Sequence, residues 1–242
     1  MSAPTPSLTQ PARPAAPSVA ACGDDTILID FAKCPNPNQA VRILWARLMQ
    51  SHPDYCLEPV AGVATLAVVL KHECQTDAIR LIACDELRLI AQDAIGAVAE
   101  EGRHVVIPVC YDAAMAPDLD RVAELTQLST AEVIALHQSG QYLAELIGFV
   151  PGFAYMSGMD PRLSVPRLPQ PRPVVPAGSL GITGHQCAVY PTATPGGWNL
   201  IGRCPIRLFD PNLPEPCLIQ LGDQVSFESI SSAQFDRLWA KR

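Results

Sequence analysis

His137 ends a helical segment that leads into an extended stretch, Gln141 to Ile147, and then into the part of the chain densest in glycine and proline. A histidine there has two readings. It is a cation placed at a helix C-terminus, where the dipole favours it, or an acid–base group at the edge of the region that follows. Cys187 and Cys204 lie inside that region. A thiol at either place is a nucleophile in principle, but a free cysteine more often serves as a small buried apolar residue. His72 and Cys74 could touch one metal ion, but a site needs a second pair of ligands. The nine cysteines, at irregular spacings and with no CxxC, offer none, so no metal is expected. The remaining candidates are Arg172, Gln186 and Tyr190, set among Gly178, Gly181 and Gly184. Without a Cβ, each glycine lets a main chain come close to a ligand or a partner; the same glycines would also serve as turns of a barrel.

These residues sit in one stretch, Gly148 to Pro211, with nine of the fifteen glycines and eleven of the twenty-four prolines. It is not a linker, because Phe149, Phe153, Tyr155, Tyr190, Trp198 and Phe209 are interleaved with the turn formers, and such residues fill cores. Gly196-Gly197 after Pro195 allows a sharp turn directly before Trp198, and Pro176-Ala177-Gly178-Ser179 makes a similar corner. Short strands joined by tight turns around a concave surface are expected.

The elements that must position this stretch are legible along the chain. Met1 to Ala21, with five prolines and a single arginine, reads as a disordered tail, without the apolar core of a secretory signal. Thr26–Ala32 alternates as a strand, and Asn36-Pro37 opens a helix running to about Gln50. Tyr55–Val60 and Val63–Leu70 form a hairpin around Gly62. A second helix from Thr76 uses Ile79, Ile82, Leu87, Ile90, Ile95 and Val98 as its apolar face, and His104–Tyr111 is a strand. The order β-α-β-β-α-β is ferredoxin-like and predicts a first domain over 22–111. The fold class is thus α+β, with a mostly β barrel domain over 112–242. That domain is entered through a short helix after Pro117-Asp118 and a helix begun by the capping box Ser129-Thr130-Ala131-Glu132. Cys217–Leu221 and Val225–Ile230 read as its last hairpin, with Phe235, Leu238 and Trp239 on a terminal helical turn.

Composition excludes some functions. A net charge of −7 and three lysines leave no basic footprint, so no nucleic acid is expected as partner. No run approaches the roughly 18 apolar residues of a membrane span. Unpatterned cysteines suit a reducing cytoplasm.

GFVPGFAYMSGMDPRL, VPAGSLGI, GHQCAVYP, PGGWNLIGR and PIRLFDP follow one another in an order and spacing that resemble a known family. That family contains the B subunit of 5-oxoprolinase, the KipI-type inhibitors of a sporulation sensor kinase, and the subunit 1 region of allophanate hydrolase and urea carboxylase proteins. The likeness is dense over Ile107 to Ile230 and thinner before it. It implies a ferredoxin-like first domain and a cyclophilin-like β-barrel second domain. It also implies a larger sister protein, like the C subunit of 5-oxoprolinase, with the working site between the two, and a third partner like its A subunit. The implied activity is ATP-dependent opening of 5-oxoproline, a small-molecule amide, to glutamate, with ATP used by the complex. The alternatives within the resemblance are an allophanate hydrolase- or urea carboxylase-type subunit 1 with another amide as substrate, or a regulator that docks on a histidine kinase.

The motif positions carried over are His137, Tyr142, Phe149, Pro151, Gly152, Phe153, Tyr155, Arg172, Pro176, Gly178, Ser179, Gln186, Tyr190, Gly196, Gly197, Trp198 and Arg203. Arg172, Gln186, Ser179 and His137 are the expected catalytic group and the others are expected to bind substrate. Under this assignment Arg172 and Arg203 hold a carboxylate or phosphate by their planar forks. Gln186 and the Gly178 and Ser179 amides donate to an acyl oxygen, and Tyr155 and Trp198 wall the pocket. The sequence departs from the family at His185, where a glycine is usual, and at Cys187 and Cys204, where threonine is. Asp112-Ala113-Ala114-Met115 also replaces a glycine-rich run. Within the motif blocks the only acids, Asp160 and Asp210, flank prolines and look like turn residues.

Overall fold

The computed structural model describes residues 15–241, which form two compact units dividing between Ala99 and Glu100. In the first, β1 (Ser18–Cys22), β2 (Thr26–Asp30), α1 (Pro37–Ser51), β3 (Cys56–Ala61), β4 (Thr65–Leu70) and α2 (Asp77–Ala94) follow in order. The sheet is antiparallel throughout, in the order β1-β2-β4-β3. Alternation in β2 and β4 buries Ile27, Ile29, Leu66, Val68 and Leu70, and α1 buries Val41, Leu44 and Leu48. Pro37 stands in the first turn of α1, but Asn36 precedes it in a left-handed conformation and its side chain caps nothing.

Three expectations change here. Residues 18–21, assigned to the tail, are part of β1, which pairs with β2 over five residues; the rest of the expected tail, apart from 15–17, lies outside the described residues. The strand around His104–Tyr111, expected to complete the first sheet, belongs to the second unit. Its backbone bonds to the strand at 224–229, and Ile107 and Val109 enter the second core. The buried face of α2 also differs, being Ala83, Cys84, Leu87, Ala91 and Ala94, with Ile82 exposed. Alanines bring the helix close to its neighbours, so its packed stripe is the one with the smallest side chains.

The second unit contains β5 (His104–Val109), α3 (Leu119–Thr126), α4 (Thr130–Ser139), β6 (Tyr142–Ile147), β7 (Ala154–Ser157) and β8 (Arg172–Val175). After these come β9 (Ser179–Thr183), β10 (Gln186–Val189), β11 (Thr194–Gly196), β12 (Asn199–Arg203), β13 (Gln224–Ser229) and α5 (Ser232–Trp239). Seven strands form one sheet, β12-β9-β10-β7-β6-β13-β5, and a two-way bridge between Cys110 and Arg203 brings its ends together into a nearly closed barrel. β13 pairs with β6 and β5, and Cys217 makes only an isolated bridge to Phe209, so the expected last hairpin is not formed. The capping box of Ser129 and Glu132 starts α4 as the sequence predicts.

Alternation sorts the barrel's side chains into two cores. Ala154, Met156, Leu180, Ile182, Cys187, Val189 and Ile201 point inward. Phe153, Ala188, Tyr190, Trp198 and Leu200 point outward, into a smaller core that also takes Val175 from the β8–β11 ribbon. Gly181 belongs to this outer face: a Cβ there would lie 3.1 Å from Trp198 and 3.2 Å from Tyr190, so the aromatics pack only because it is absent.

Candidate functional site

The strand pairings fix which loops share an end of the barrel. Ile147 is opposite Ala154, Val189 opposite Leu180, and Ser179 opposite Arg203. The turns after β6, β10 and β12, and the one before β9, therefore gather at one mouth. They enclose a concavity of about 510 Å³ lined by Pro151, Ala177, Pro191, Thr192, Arg207 and Phe209. Gly152 (φ 79°) lets the first of these turns pass against Phe209, whose Cβ would be 2.7 Å from an added methyl. Gly178 (φ 84°) does the same for the second: a Cβ there would meet the Cys204 carbonyl at 2.2 Å. What comes close to Gly178 is thus the chain's own backbone.

The expected site residues other than Arg172, which lies on β8, fall into four groups. Pro151, Gly152, Pro176, Gly178, Ser179 and Arg203 are at the mouth. Phe153, Tyr155, Tyr190, Gly196 and Trp198 build the outer aromatic core, with Phe153 4.7 Å from Tyr155 and 5.2 Å from Tyr190 between centroids. Gly196 faces the Tyr190 hydroxyl, Gly197 lies beside Pro171, and Phe149, with φ 72° and 60% exposed, stands edge-on to Phe153. A bulky residue held in the left-handed region is strained.

His137 and Tyr142 form the third group, inside the barrel. His137 is fully buried at the end of α4. Its Nδ1 is 2.9 Å from the Tyr111 hydroxyl and its Nε2 3.5 Å from Cys187 Sγ. Tyr142 donates to the His137 carbonyl at 2.9 Å. Burial drives the imidazole down to about 3, so it is neutral, and the same burial pushes the Cys187 thiol well up. The helix-terminus cation reading therefore fails on charge, and a thiol this buried is no nucleophile. The fourth group is Gln186 alone. It pairs with Thr183 at the far end of β9 and β10, away from the mouth.

Both expected anion forks make contacts within the chain, while Arg172 Nη1 is buried without a hydrogen-bond partner among the described residues. Arg172 Nη2 is 2.7 Å from Asp118 Oδ1, and the buried Asp118 also accepts the Leu200 amide at 2.7 Å. Arg203 donates to the Ala177 carbonyl at 2.9 Å and lies 4.5 Å above the Trp239 ring. The amides assigned to an acyl oxygen are likewise used, Gly178 by the Tyr190 carbonyl and Ser179 by that of Pro176. Asp160 and Asp210 close turns, accepting the amides of Arg162 and Asn212.

Sequence reasoning missed Asp118, which stands at the N-cap position of α3 but caps nothing and instead ties α3 to β12 and β8. It also missed Arg207 and Phe209 in the mouth. Both lie in the PIRLFDP block, so their signal was a cation and a ring immediately after a barrel strand. Among the described residues, no three His, Cys, Asp or Glu side chains converge as a metal ion would need. Among those residues, too, no helix is long and apolar enough to cross a membrane.

Residues 17–219 match the family described as carboxyltransferase domain, subdomain C and D. The chain is 49% identical over 133 residues to the 5-oxoprolinase B subunit of Bacillus subtilis (strain 168), covering 55% of each protein. It is 41% identical over 171 residues to the 5-oxoprolinase B subunit of Escherichia coli O157:H7, covering 71% of this chain and 77% of that one. The match thus spans little more than half of the Bacillus relative. Among solved structures, the crystal structure of TTHA0988 superposes with a TM-score of 0.72 at 33% identity, over 86% of this chain and 40% of that chain. A small α+β unit followed by a nearly closed barrel is thus a shared architecture. The chain belongs to the carboxyltransferase-domain family, subdomains C and D, and the two relatives just described are 5-oxoprolinase B subunits.

Proposed function

We propose that this chain is the B subunit of an ATP-dependent 5-oxoprolinase, which opens the lactam of 5-oxoproline to glutamate in company with a larger C-like and a third A-like subunit. The observation that carries the reading is 41% identity over 171 residues, which cover 77% of the Escherichia coli B subunit. That the whole of this chain's match occupies 40% of TTHA0988 supports a working unit larger than this chain alone.

The mouth supports a division of labour. Opening a resonance-stabilised lactam needs an activated carbonyl oxygen and a base for the attacking water. None of the six residues lining the concavity is a carboxylate, histidine, cysteine or lysine. His137 and Cys187 are buried and held by each other, Tyr111 and Tyr142. On this reading the chain binds and orients the substrate, shields it from water on one side, and leaves proton transfer to the facing partner. Its residues do not suit a triphosphate either. The amides that could cradle phosphate at the Gly178 corner already donate to carbonyls, Arg203 donates to the Ala177 carbonyl, and Arg172 gives one of its terminal nitrogens to Asp118. ATP supplies the activation of the amide oxygen, and its site belongs to another member of the complex.

The test is ATP hydrolysis by this chain mixed with the C-like and A-like subunits of the same genome, with and without 5-oxoproline. The reading expects 5-oxoproline to stimulate hydrolysis only when all three are present. An assembled complex that ignores 5-oxoproline, or responds instead to an allophanate-type amide, would remove the substrate assignment.

A further inference from the structure

Five arginines lie in the Gly/Pro stretch, and four of them do not line the concavity. Arg162 is held by Asp160 at 2.7 and 3.0 Å, Arg172 by Asp118, and Arg203 by the Ala177 carbonyl and two rings. Arg167 acts electrostatically on Tyr155 and Tyr190, on the outer face of the barrel. Arg207 alone of the five is among the residues that line the concavity. We propose that Arg207 anchors the carboxylate of a small lactam acid bound in the mouth concavity, the 5-oxoproline of the reading above, on which this assignment rests.

The surroundings suit that ligand. Arg207 makes one hydrogen bond, from Nη1 to Asp210 Oδ2 at 3.1 Å, and its side chain is 48% exposed. An exposed pair three residues apart contributes little and exchanges easily. Asp210 also keeps the amide and the side chain of Asn212, each at 3.0 Å, so it stays in place when the guanidinium turns to a ligand. The planar fork then offers two parallel N–H donors to a carboxylate. None of the six lining residues is acidic, so nothing in the wall itself opposes an anion. Pro151, Pro191 and Phe209 give apolar surface for ring methylenes, and Thr192 adds an exposed hydroxyl. The volume of about 510 Å³ falls within the range of small-molecule sites, about 300–1,000 Å³, with room for a five-membered lactam.

The experiment compares 5-oxoproline with its carboxamide, 5-oxoprolinamide, in the three-subunit complex carrying wild-type chain, Arg207→Ala or Arg207→Lys. Loss of one charge-assisted anchor is expected to raise the KM for 5-oxoproline about thirtyfold in Arg207→Ala, with partial recovery in Arg207→Lys and no change for the carboxamide. An unchanged KM for 5-oxoproline in Arg207→Ala, or an equal loss with both substrates, overturns the assignment. If the wild-type complex opens no 5-oxoproline, the enzyme reading fails separately, and the anchor is decided on the full isolated chain by titrating the Arg207 Nε–H resonance. A shift with 5-oxoproline and none with 2-pyrrolidinone, which lacks the carboxylate, upholds it. No shift with either overturns it.

Discussion

Arg172, expected to hold an anion, is tied into the fold through a buried carboxylate of its own chain. Its guanidinium holds Asp118, which is 5% exposed and also fixes the Leu200 amide, so the pair ties the β8–β11 ribbon to α3 and β12. Removing the arginine leaves a buried carboxylate uncompensated. Arg172→Ala is therefore expected to lower the unfolding free energy by about 3 kcal/mol, measured by urea denaturation. A change below about 0.5 kcal/mol, the scale of an exposed pair, would show that water replaces the arginine there. The importance of position 172 was legible in the sequence, since an arginine between prolines in a glycine-rich region needs a partner. Its role was not, because that partner lies 54 residues away. Gly178 was legible in the same partial way: the need for a missing Cβ could be read, whereas the identity of the approaching group, the Cys204 carbonyl, depended on how β12 returns beside β9.

At the scale of elements, α4 was readable to its first residue because a capping box is a local signal, and the place where it delivers His137 was not. The helix ends with His137 inside the barrel, among Tyr111, Tyr142, Cys187 and Phe227. Burial lowers this histidine from 6.5 to about 3, which has a signed consequence. Between these values the unfolded chain takes up a proton that the native chain does not. This contribution to stability is therefore complete above pH 6.5 and is lost as pH falls toward 3, at up to about 1.4 kcal/mol per pH unit. Replacing it by His137→Gln should flatten the fall in stability between about pH 6 and 4, read from urea midpoints across that range. Parallel curves for the two proteins would mean that the native barrel accepts the proton. The outer core was half-legible in the same sense. Phe153, Tyr155, Tyr190 and Trp198 were readable as core-filling residues, but strand parity sends them outward beneath the β8–β11 ribbon, and proline-rich strands this short give too little alternation to tell the two faces apart.

Across the whole molecule, the clearest misreading is the boundary between the units. Six elements in the order of a ferredoxin-like domain are present in the sequence, yet β5 joins the barrel and β1 supplies the fourth strand of the first sheet. Strand order along a chain does not say which strand pairs with which, and the parallel β5–β13 pairing joins residues about 120 positions apart. The barrel and its glycine corners were read correctly because turn residues are local signals; the mouth they build was not assigned to Arg207 because nothing in PIRLFDP distinguishes a lining arginine from a solvated one. The six residues that line the concavity include one cation and none suited to move a proton, in keeping with the shared site proposed above. The measurement that tests this most directly is glutamate release from 5-oxoproline and ATP by the purified C-like and A-like subunits, with this chain added and with it omitted. The account predicts glutamate formation that rises with added chain to a stoichiometric plateau and is absent without it. Glutamate formed at the same rate without this chain would contradict it.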